Sequence, residues 1–112
     1  MIEDRDAYDE LLEKHKDDNM FLVFKFGSEW CGPCKRIDPH YKEYKELSLE
    51  RGVSVEFHYL DIDEESIMDL MSDDLDLKLV PHFLIVRNGE VVSTLQTSQK
   101  DSLFEFLDTY LI

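Results

Sequence analysis

Residues 20–35, from Met20 to Lys35, read MFLVFKFGSEWCGPCK. The first seven of these residues are large and apolar apart from one lysine, a pattern typical of a buried strand. The following Gly-Ser-Glu at 27–29 predicts the end of that strand. Cys31 and Cys34, the only two cysteines of the chain, come directly after it. The sequence thus predicts a central strand that delivers a pair of cysteines to the next element.

The segment from Pro33 to Glu50 has the pattern of an amphipathic helix. Its apolar residues recur at spacings of four, three and three and share one helical face: Ile37, Tyr41, Tyr44 and Leu47. Pro33 suits the first turn because the amide that proline lacks would be unpaired there. We therefore expect Cys31 to lie where free backbone amides and the positive end of the helix dipole converge.

This placement predicts that Cys31 reacts as a thiolate near neutral pH. A free thiol has a pKa of about 8.5, and a helix N-terminus stabilises an anion by roughly 0.3 to 2 kcal/mol. A decrease of about one pKa unit would raise the thiolate fraction at pH 7 from roughly 3% to about a quarter. The cations of Lys35 and Arg36 act in the same direction.

Two other interpretations of the cysteine pair remain open. A structural disulfide that closes a four-residue loop would stabilise the fold by only about 2 kcal/mol, against nearly 5 for a loop of a hundred residues. A structural zinc site needs four ligands, and the chain has no second cysteine pair. The four histidines show no paired ligand spacing, and we interpret each as a surface or half-buried polar residue: His15, His40, His58 and His82.

The segment from Glu29 to Lys35, EWCGPCK, resembles the active site of the thioredoxin family. The resemblance continues over roughly residues 20 to 111. It includes a proline inside the long helix, the end of the next strand, a Val-Pro turn and a closing hairpin: Pro39, Leu60–Asp63, Val80–Pro81 and Asn88–Val92.

The family resemblance implies an α/β thioredoxin fold, with a central mixed sheet of four to five strands and helices on both faces. A length of 112 residues, 43% of them hydrophobic, is enough for one core, so we predict a single domain over 1–112. Further helices are predicted near 6–16 and 64–71, further strands at 53–62 and 82–87, and a last helix with the apolar stripe Leu103, Phe104, Leu107, Tyr110 and Leu111. Few residues precede the first helix, so the 53–62 strand is expected nearly at the sheet edge.

By the same resemblance, the chain is a protein-disulfide reductase. Cys31 would attack a disulfide in a client protein, and Cys34, the more buried sulfur, would then attack Cys31 and release the reduced client. Substrate binding is expected at Trp30, Gly32, Pro33, Val80, Pro81 and Gln96. The Val80–Pro81 bond is predicted to be cis and to leave the Val80 backbone free to pair with an extended client segment. The alternative for Trp30 is a partly buried core aromatic.

The chain departs from the family at four positions near the site. Gln96 stands where a glycine is usual, and Gly27 replaces a common tryptophan. Lys25 stands where the family has a buried aspartate on the strand, and Tyr59 aligns with the lysine that often partners that acid.

The side chain of Lys25 should point into covered surface, because strand alternation places it on one face with Phe21 and Val23. An unpaired ammonium is unfavourable there, so we expect a hydrogen bond to Tyr59 or an ion pair with Asp61. In this catalytic role its charge would favour thiolate at the cysteines. The alternative is a lysine that extends to the surface and has no catalytic part.

Charge restricts the classes of partner. Twelve basic and 26 acidic residues give a formal net charge of −14, which argues against nucleic-acid binding because phosphates would be repelled. Eight acidic residues lie between Asp61 and Asp76, without the glycine and glutamate spacing of an EF-hand. A solvated face is the first interpretation of this stretch, and a docking patch for basic partners is the second. The longest apolar run is too short to span a membrane.

We expect no bound cofactor, only a redox-active disulfide. The resemblance implies electrons from an NADPH-dependent, thioredoxin reductase-like flavoprotein, and disulfide-containing client proteins as partners. A cytoplasmic monomer is expected, because cycling cysteines agree with a reducing compartment and no signal sequence is visible. Two alternatives remain: a thioredoxin-like binding subunit that does not need its sulfurs, and an oxidase or isomerase of the same fold with altered redox tuning through Lys25.

Overall fold

A four-stranded mixed sheet lies at the centre of the fold. The computed structural model describes residues 1–111. The strands are β1, Phe21–Gly27; β2, Val55–Asp61; β3, His82–Arg87; and β4, Glu90–Gln96. Their order is β2-β1-β3-β4, with β1 and β2 parallel and the other two pairs antiparallel. The predicted thioredoxin-type sheet is confirmed with four strands.

Helices cover both faces of this sheet. They are α1, Arg5–Lys14; α2, Gly32–Arg51; α3, Glu65–Asp69, which continues as a π-helical turn over Leu70–Asp74; and α4, Lys100–Tyr110. Residues of α1, α3 and the π-helical turn pack in one core, and residues of α2 and α4 pack in the other. No helix within residues 1–111 has both the length and the apolar character needed to cross a bilayer.

Strand β1 separates the two cores, and all seven of its residues are buried. Leu22, Phe24 and Phe26 face the α1 and α3 side, whereas Phe21 and Val23 face α2 and α4. This alternation is the one that the sequence predicts. It places the Lys25 side chain between β1 and α2.

Strand β2 is an edge strand, as predicted. The backbone amide of Ile2 donates to the carbonyl of Tyr59 at 3.0 Å and forms one parallel bridge opposite Leu60. Among residues 1–111, no other residue pairs with this edge. The edge is therefore open over most of its length.

Most other predicted elements are confirmed within a few residues. The Asn88–Gly89 turn has positive φ angles of 52° and 78°, as a tight hairpin between antiparallel strands requires. Phe106 of α4 is buried although the predicted stripe omits it. The interpretation of His15 was wrong: it is buried, because it caps the end of α1 and lies between two carboxylates, those of Asp18 and Glu56.

Candidate active site

A short loop carries the chain from β1 to the cysteines. Buried Ser28 organises it: its carbonyl accepts from the Cys31 amide at 3.2 Å, and its hydroxyl accepts from the Trp30 amide at 3.3 Å. The same hydroxyl donates to the carboxylate of Asp63 at 3.2 Å. The loop is therefore held both to itself and to the segment that follows β2.

The two cysteines lie at the first turn of α2 and form a disulfide. Cys31 is the N-cap residue, and its sulfur accepts from the Cys34 amide at 3.1 Å. Pro33 lies in the first turn, as predicted. Cys34 is fully buried and Cys31 is half-buried, so a partner protein reaches the sulfur of Cys31 first.

The amide contact to the Cys31 sulfur has a chemical consequence in the reduced state. A thiolate at this position accepts the same amide hydrogen bond and lies at the positive end of the helix dipole. Both interactions favour the anion over the neutral thiol.

The Val80–Pro81 turn packs against the cysteines. The peptide bond is cis, and the carbonyl oxygen of Val80 lies 4.0 Å from the Cys31 sulfur. Pro81 is buried, whereas Val80 is half-buried. Gln96 ends β4 opposite His82, the residue after Pro81, and is exposed. The predicted binding residues from both parts of the chain therefore meet at one end of the sheet.

Trp30 provides most of the apolar surface near the sulfur. It is 87% exposed, so the interpretation of Trp30 as a core aromatic is wrong. Gly32 is exposed and Pro33 is half-buried. Leu79, which no pattern in the sequence singled out, is also exposed next to the Val80–Pro81 turn. An apolar surface thus flanks the redox-active pair.

Lys25 lies behind this surface and is fully buried. Its ammonium forms an ion pair with Asp38 of α2 and lies 4.4 Å from the ring centroid of Tyr59. The predicted partner Asp61 was wrong, because the side chain points from β1 toward α2. Tyr59 contacts Lys25 through its ring face instead of the predicted hydrogen bond. The surface-extending alternative is also wrong, since no part of Lys25 reaches solvent.

Burial shifts the pKa values of both Lys25 and Tyr59. Burial lowers the pKa of Lys25, and the hydrogen bond and charge of Asp38 oppose that decrease. Burial raises the pKa of Tyr59 to about 12, with a smaller contribution from Asp38. Tyr59 is therefore a neutral hydroxyl at physiological pH, and the local charges are those of the ion pair.

Gly27 makes room for this arrangement. A Cβ atom at Gly27 would lie 2.8 Å from the hydroxyl oxygen of Tyr59 and 3.3 Å from the Lys25 ammonium. Real side chains essentially never make the first of these contacts. A residue with a Cβ atom at position 27 therefore does not fit beside Tyr59 as it is placed here.

Asp38 is the functional candidate that sequence reasoning missed. It follows Cys34 by four residues on α2, a spacing that brings side chains onto one helical face about 5–6 Å apart. The ion pair, in which Lys25 is buried and the Asp38 side chain is 35% exposed, is therefore about one helical turn from Cys34. A signal was present: a buried lysine facing α2 needs a carboxylate on that helix.

His82 takes a structural position. It is half-buried, its Nδ1 atom lies 3.3 Å from the carbonyl of Leu79, and burial lowers its pKa. Because the neighbouring Phe83 packs in the core with α2 and α4, alternation places His82 on the other face of the sheet. This position favours a structural polar residue over a proton carrier for the cysteines.

Comparison with known proteins gives a consistent result. The thioredoxin family model matches residues 1–109. Thioredoxin H2-1 of Oryza sativa subsp. japonica is 30% identical over 108 residues, which cover 96% of this chain and 73% of that protein. Thioredoxin-1 of Caenorhabditis elegans is 32% identical over 96 residues, which cover 86% of this chain and 76% of that protein.

Solved structures agree at the level of the whole fold. A Schistosoma mansoni thioredoxin is 27% identical with a TM-score of 0.79, covering 99% of this chain and 93% of that one. A Plasmodium falciparum thioredoxin is 26% identical with a TM-score of 0.78, covering 98% and 96% respectively. With the Cys31–Cys34 pair placed at the start of α2, the chain belongs to the thioredoxin family and is a thiol-disulfide oxidoreductase.

Proposed function

We propose that this protein reduces disulfide bonds in client proteins, with Cys31 as the nucleophile and Cys34 as the resolving residue. The Cys31 thiolate attacks one sulfur of the client disulfide; that bond breaks, and the departing client thiolate takes up a proton. Cys34 then loses its proton and attacks the Cys31 sulfur, which releases the second client thiolate. The client gains two electrons, and the protein ends with the Cys31–Cys34 disulfide.

The observation that supports this assignment most is the unequal placement of the two sulfurs. Cys31 is half-buried beside an exposed tryptophan and receives the Cys34 amide, whereas Cys34 is fully buried. An accessible, amide-stabilised sulfur suits the attacking group. A buried sulfur within bonding distance of Cys31 suits the group that acts only after a client is attached.

The client is proposed to bind on the surface made by Trp30, Gly32, Pro33, Val80, Pro81 and Gln96. An extended client segment would pair with the backbone of Val80 while its apolar side chains cover Trp30. This arrangement recognises backbone and apolar area more than a particular sequence. It therefore suits a reductant that accepts several clients.

Lys25 is proposed to favour the thiolate form of the cysteines. Its ammonium is fully buried, and charges interact more strongly in a low-dielectric interior than at the surface. The ion pair with Asp38 holds the ammonium about one helical turn from Cys34. The cation would then stabilise the anion that Cys34 becomes when it attacks, in place of the usual carboxylate that accepts a proton.

The regenerating electron donor is proposed to be an NADPH-dependent flavoprotein of the thioredoxin reductase type, with no prosthetic group bound to this chain. A monomer is proposed because a net charge of −14 disfavours self-association. A cytoplasmic location is proposed because a reducing compartment keeps the dithiol available. The family membership of the chain supports the donor class but leaves its identity to experiment.

Single-cysteine variants test the assignment of the two sulfurs with insulin as the disulfide substrate. Cys31→Ser should abolish catalysed reduction, and Cys34→Ser should accumulate a mixed disulfide between insulin and Cys31. A biological role that survives in Cys31→Ser, although catalysed reduction is lost, would instead favour a binding subunit. The reduction potential of the Cys31–Cys34 pair separates a reductant from an oxidase or isomerase.

A Lys25→Met variant tests the charge of the buried lysine. The pH at which insulin reduction reaches half its maximal rate should rise, and the rate at pH 7 should fall about threefold or more, because the buried cation is lost. Lys14→Met, at an exposed position of α1, is the matched control. An unchanged pH profile in Lys25→Met would mean that this lysine has no catalytic part.

A further inference from the structure

The open edge of β2 presents unused backbone hydrogen-bonding groups. The Ser54 carbonyl accepts from the Phe21 amide, and the Ile62 amide donates to the Gly27 carbonyl, both at 3.0 Å. Even-numbered residues of this segment therefore pair with β1. Odd-numbered residues point their backbone groups outward.

Within the stretch from Val55 to Tyr59, the outward-facing residues are Val55, Phe57 and Tyr59. Of their backbone groups, only the Tyr59 carbonyl has a partner among residues 1–111, the amide of Ile2. The amide and carbonyl groups of Val55 and Phe57 remain available. An added strand of about five residues, roughly 17 Å long, fits this length of edge.

A groove runs between this edge and α2. It consists of two cavities of about 270 Å³ and 340 Å³ that share Lys45, Phe57 and His58. Leu49, which lines one end, is 70% exposed. Side chains of an added strand that point toward α2 would enter this groove and cover Leu49.

Two lysines of the groove have no ion-pair partner within the described part of the chain. Lys42 and Lys45 line the groove, and among residues 1–111 neither has a carboxylate within 4.0 Å. Two carboxylates also line the groove: Asp38 pairs with Lys25, and Glu56 contacts His58 at 2.9 Å. Two free cations thus face the groove in a chain whose net charge is −14.

We propose that the β2 edge and this groove bind an extended, acidic segment of a partner protein. The segment adds a fifth strand outside β2, directs glutamate or aspartate toward Lys42 and Lys45, and places an aliphatic side chain against Leu49. A second copy of this chain fits less well, because it would bring another 14 negative charges to the same edge. The proposal does not depend on the reaction of the cysteines.

Blocked pentapeptides test the proposal directly. The probes are acetyl-Leu-Thr-Glu-Thr-Glu-amide and its reversed sequence, because either direction fits an edge strand. Titration into ¹⁵N-labelled protein should shift the amide signals of Val55 and Phe57 and slow their hydrogen exchange about tenfold at saturation. No shift with either peptide up to 10 mM, or shifts confined to the region of Trp30, would overturn the proposal.

Matched peptides and variants identify the interactions. Two peptides, each N-methylated at one of the two alternating sets of residues, are compared. One of them should not bind, because its methyl groups replace the amide hydrogens that pair with the β2 edge. The double variant Lys42→Glu/Lys45→Glu should weaken binding about tenfold, while Lys14→Glu/Lys78→Glu, with the same net charge, should weaken it less than about threefold. Equal losses in the two double variants would contradict the groove assignment.

Two controls separate this proposal from the redox assignment and from self-association. Cys31→Ser protein should bind the peptides unchanged, so a failure of the redox assignment leaves the test intact. Sedimentation of the unliganded protein should give the monomer mass. A dimer that protects the Val55 and Phe57 amides would show that the occupant is a second copy and would overturn the proposal.

Discussion

The active site has an outer layer and a buried layer, and the two differ in how closely they follow the thioredoxin family. The outer layer comprises Trp30, Cys31, Gly32, Pro33, Val80, Pro81 and Gln96, and it keeps the family motif at all of these positions except Gln96. The buried layer comprises Lys25, Gly27, Asp38 and Tyr59, and it departs from the family at three of the positions compared above. Asp38 of the buried layer follows Cys34 by four residues on α2.

The difference teaches which parts of the site the reaction constrains. Disulfide exchange requires an accessible sulfur, a nearby resolving sulfur and a surface that receives an extended segment, so the outer layer has little freedom. The buried layer must only fill its volume and provide an electrostatic field that favours the thiolate. A lysine can provide that field if a carboxylate pairs with it and a glycine makes room.

The residues of the buried layer therefore depend on one another. Lys25 needs Asp38 as its counter-charge, and the ring of Tyr59 covers its ammonium. Tyr59 in turn needs a residue without Cβ at Gly27. Variants in this layer should change stability strongly, whereas variants in the outer layer should change client reduction with little change in stability.

The largest effect on stability is expected from Asp38→Asn. It leaves the buried ammonium of Lys25 without a counter-charge, and removal of one partner from a buried ion pair lowers the free energy of unfolding by about 3 kcal/mol. Urea denaturation at pH 7 measures the free energy of unfolding. Glu46→Gln, at an exposed position on the same helix, should change it by less than about 0.5 kcal/mol.

The sign of the pH dependence provides an internal check on this variant. The pKa of Lys25 is lowered in the folded protein, so the unfolded chain binds more protons between that value and 10.5. Stability therefore rises with pH through that window. Asp38→Asn removes the interaction that opposes the lowering of the Lys25 pKa. The loss of unfolding free energy relative to the unsubstituted protein should therefore become smaller as pH rises toward 10.5. If this loss of unfolding free energy instead grew with pH, Lys25 would not be a buried cation in the folded protein.

A smaller loss of stability is expected from Gly27→Ala, about 1–3 kcal/mol, because the new Cβ overlaps the Tyr59 hydroxyl. Tyr59→Phe removes that hydroxyl, and the closest remaining atoms would be at 3.3 Å. The Gly27→Ala/Tyr59→Phe double variant should therefore recover part of the loss. Additive effects in a double-mutant cycle would show that the two positions are independent.

The smallest effect on stability is expected from Trp30→Ala. Trp30 is 87% exposed, so the free energy of unfolding should change by less than about 0.5 kcal/mol. The kcat/KM of the Trp30→Ala variant for insulin reduction should fall about three- to tenfold, because part of the surface proposed to bind the client is lost. A stability loss above about 1 kcal/mol would show that the outer layer also supports the fold.

Local patterns in the sequence were sufficient to predict the frame of the site. The apolar run of β1, the helical spacing in α2 and the CGPC motif are each contained in a short segment, and their predicted positions are confirmed. Strand alternation also predicted the face on which Lys25 lies. These features depend on the period of a helix or a strand and on nothing distant.

The buried layer was predicted only in part because it depends on distances between elements. The choice of Asp38 over Asp61 follows from the packing of α2 against β1, which no spacing in the sequence specifies. The role of Gly27 follows from the approach of Tyr59 across two strands. The burial of His15 likewise depends on how α1 ends against β2.

In the reduced protein, we expect the Cys31 sulfur to be held as an anion at the start of α2. The most direct measurement is the rate of Cys31 alkylation by iodoacetamide as a function of pH in the reduced Cys34→Ser protein, compared with a cysteine in a flexible peptide. We predict a midpoint about one pH unit below the peptide value of about 8.5. A midpoint equal to that of the peptide would contradict the account.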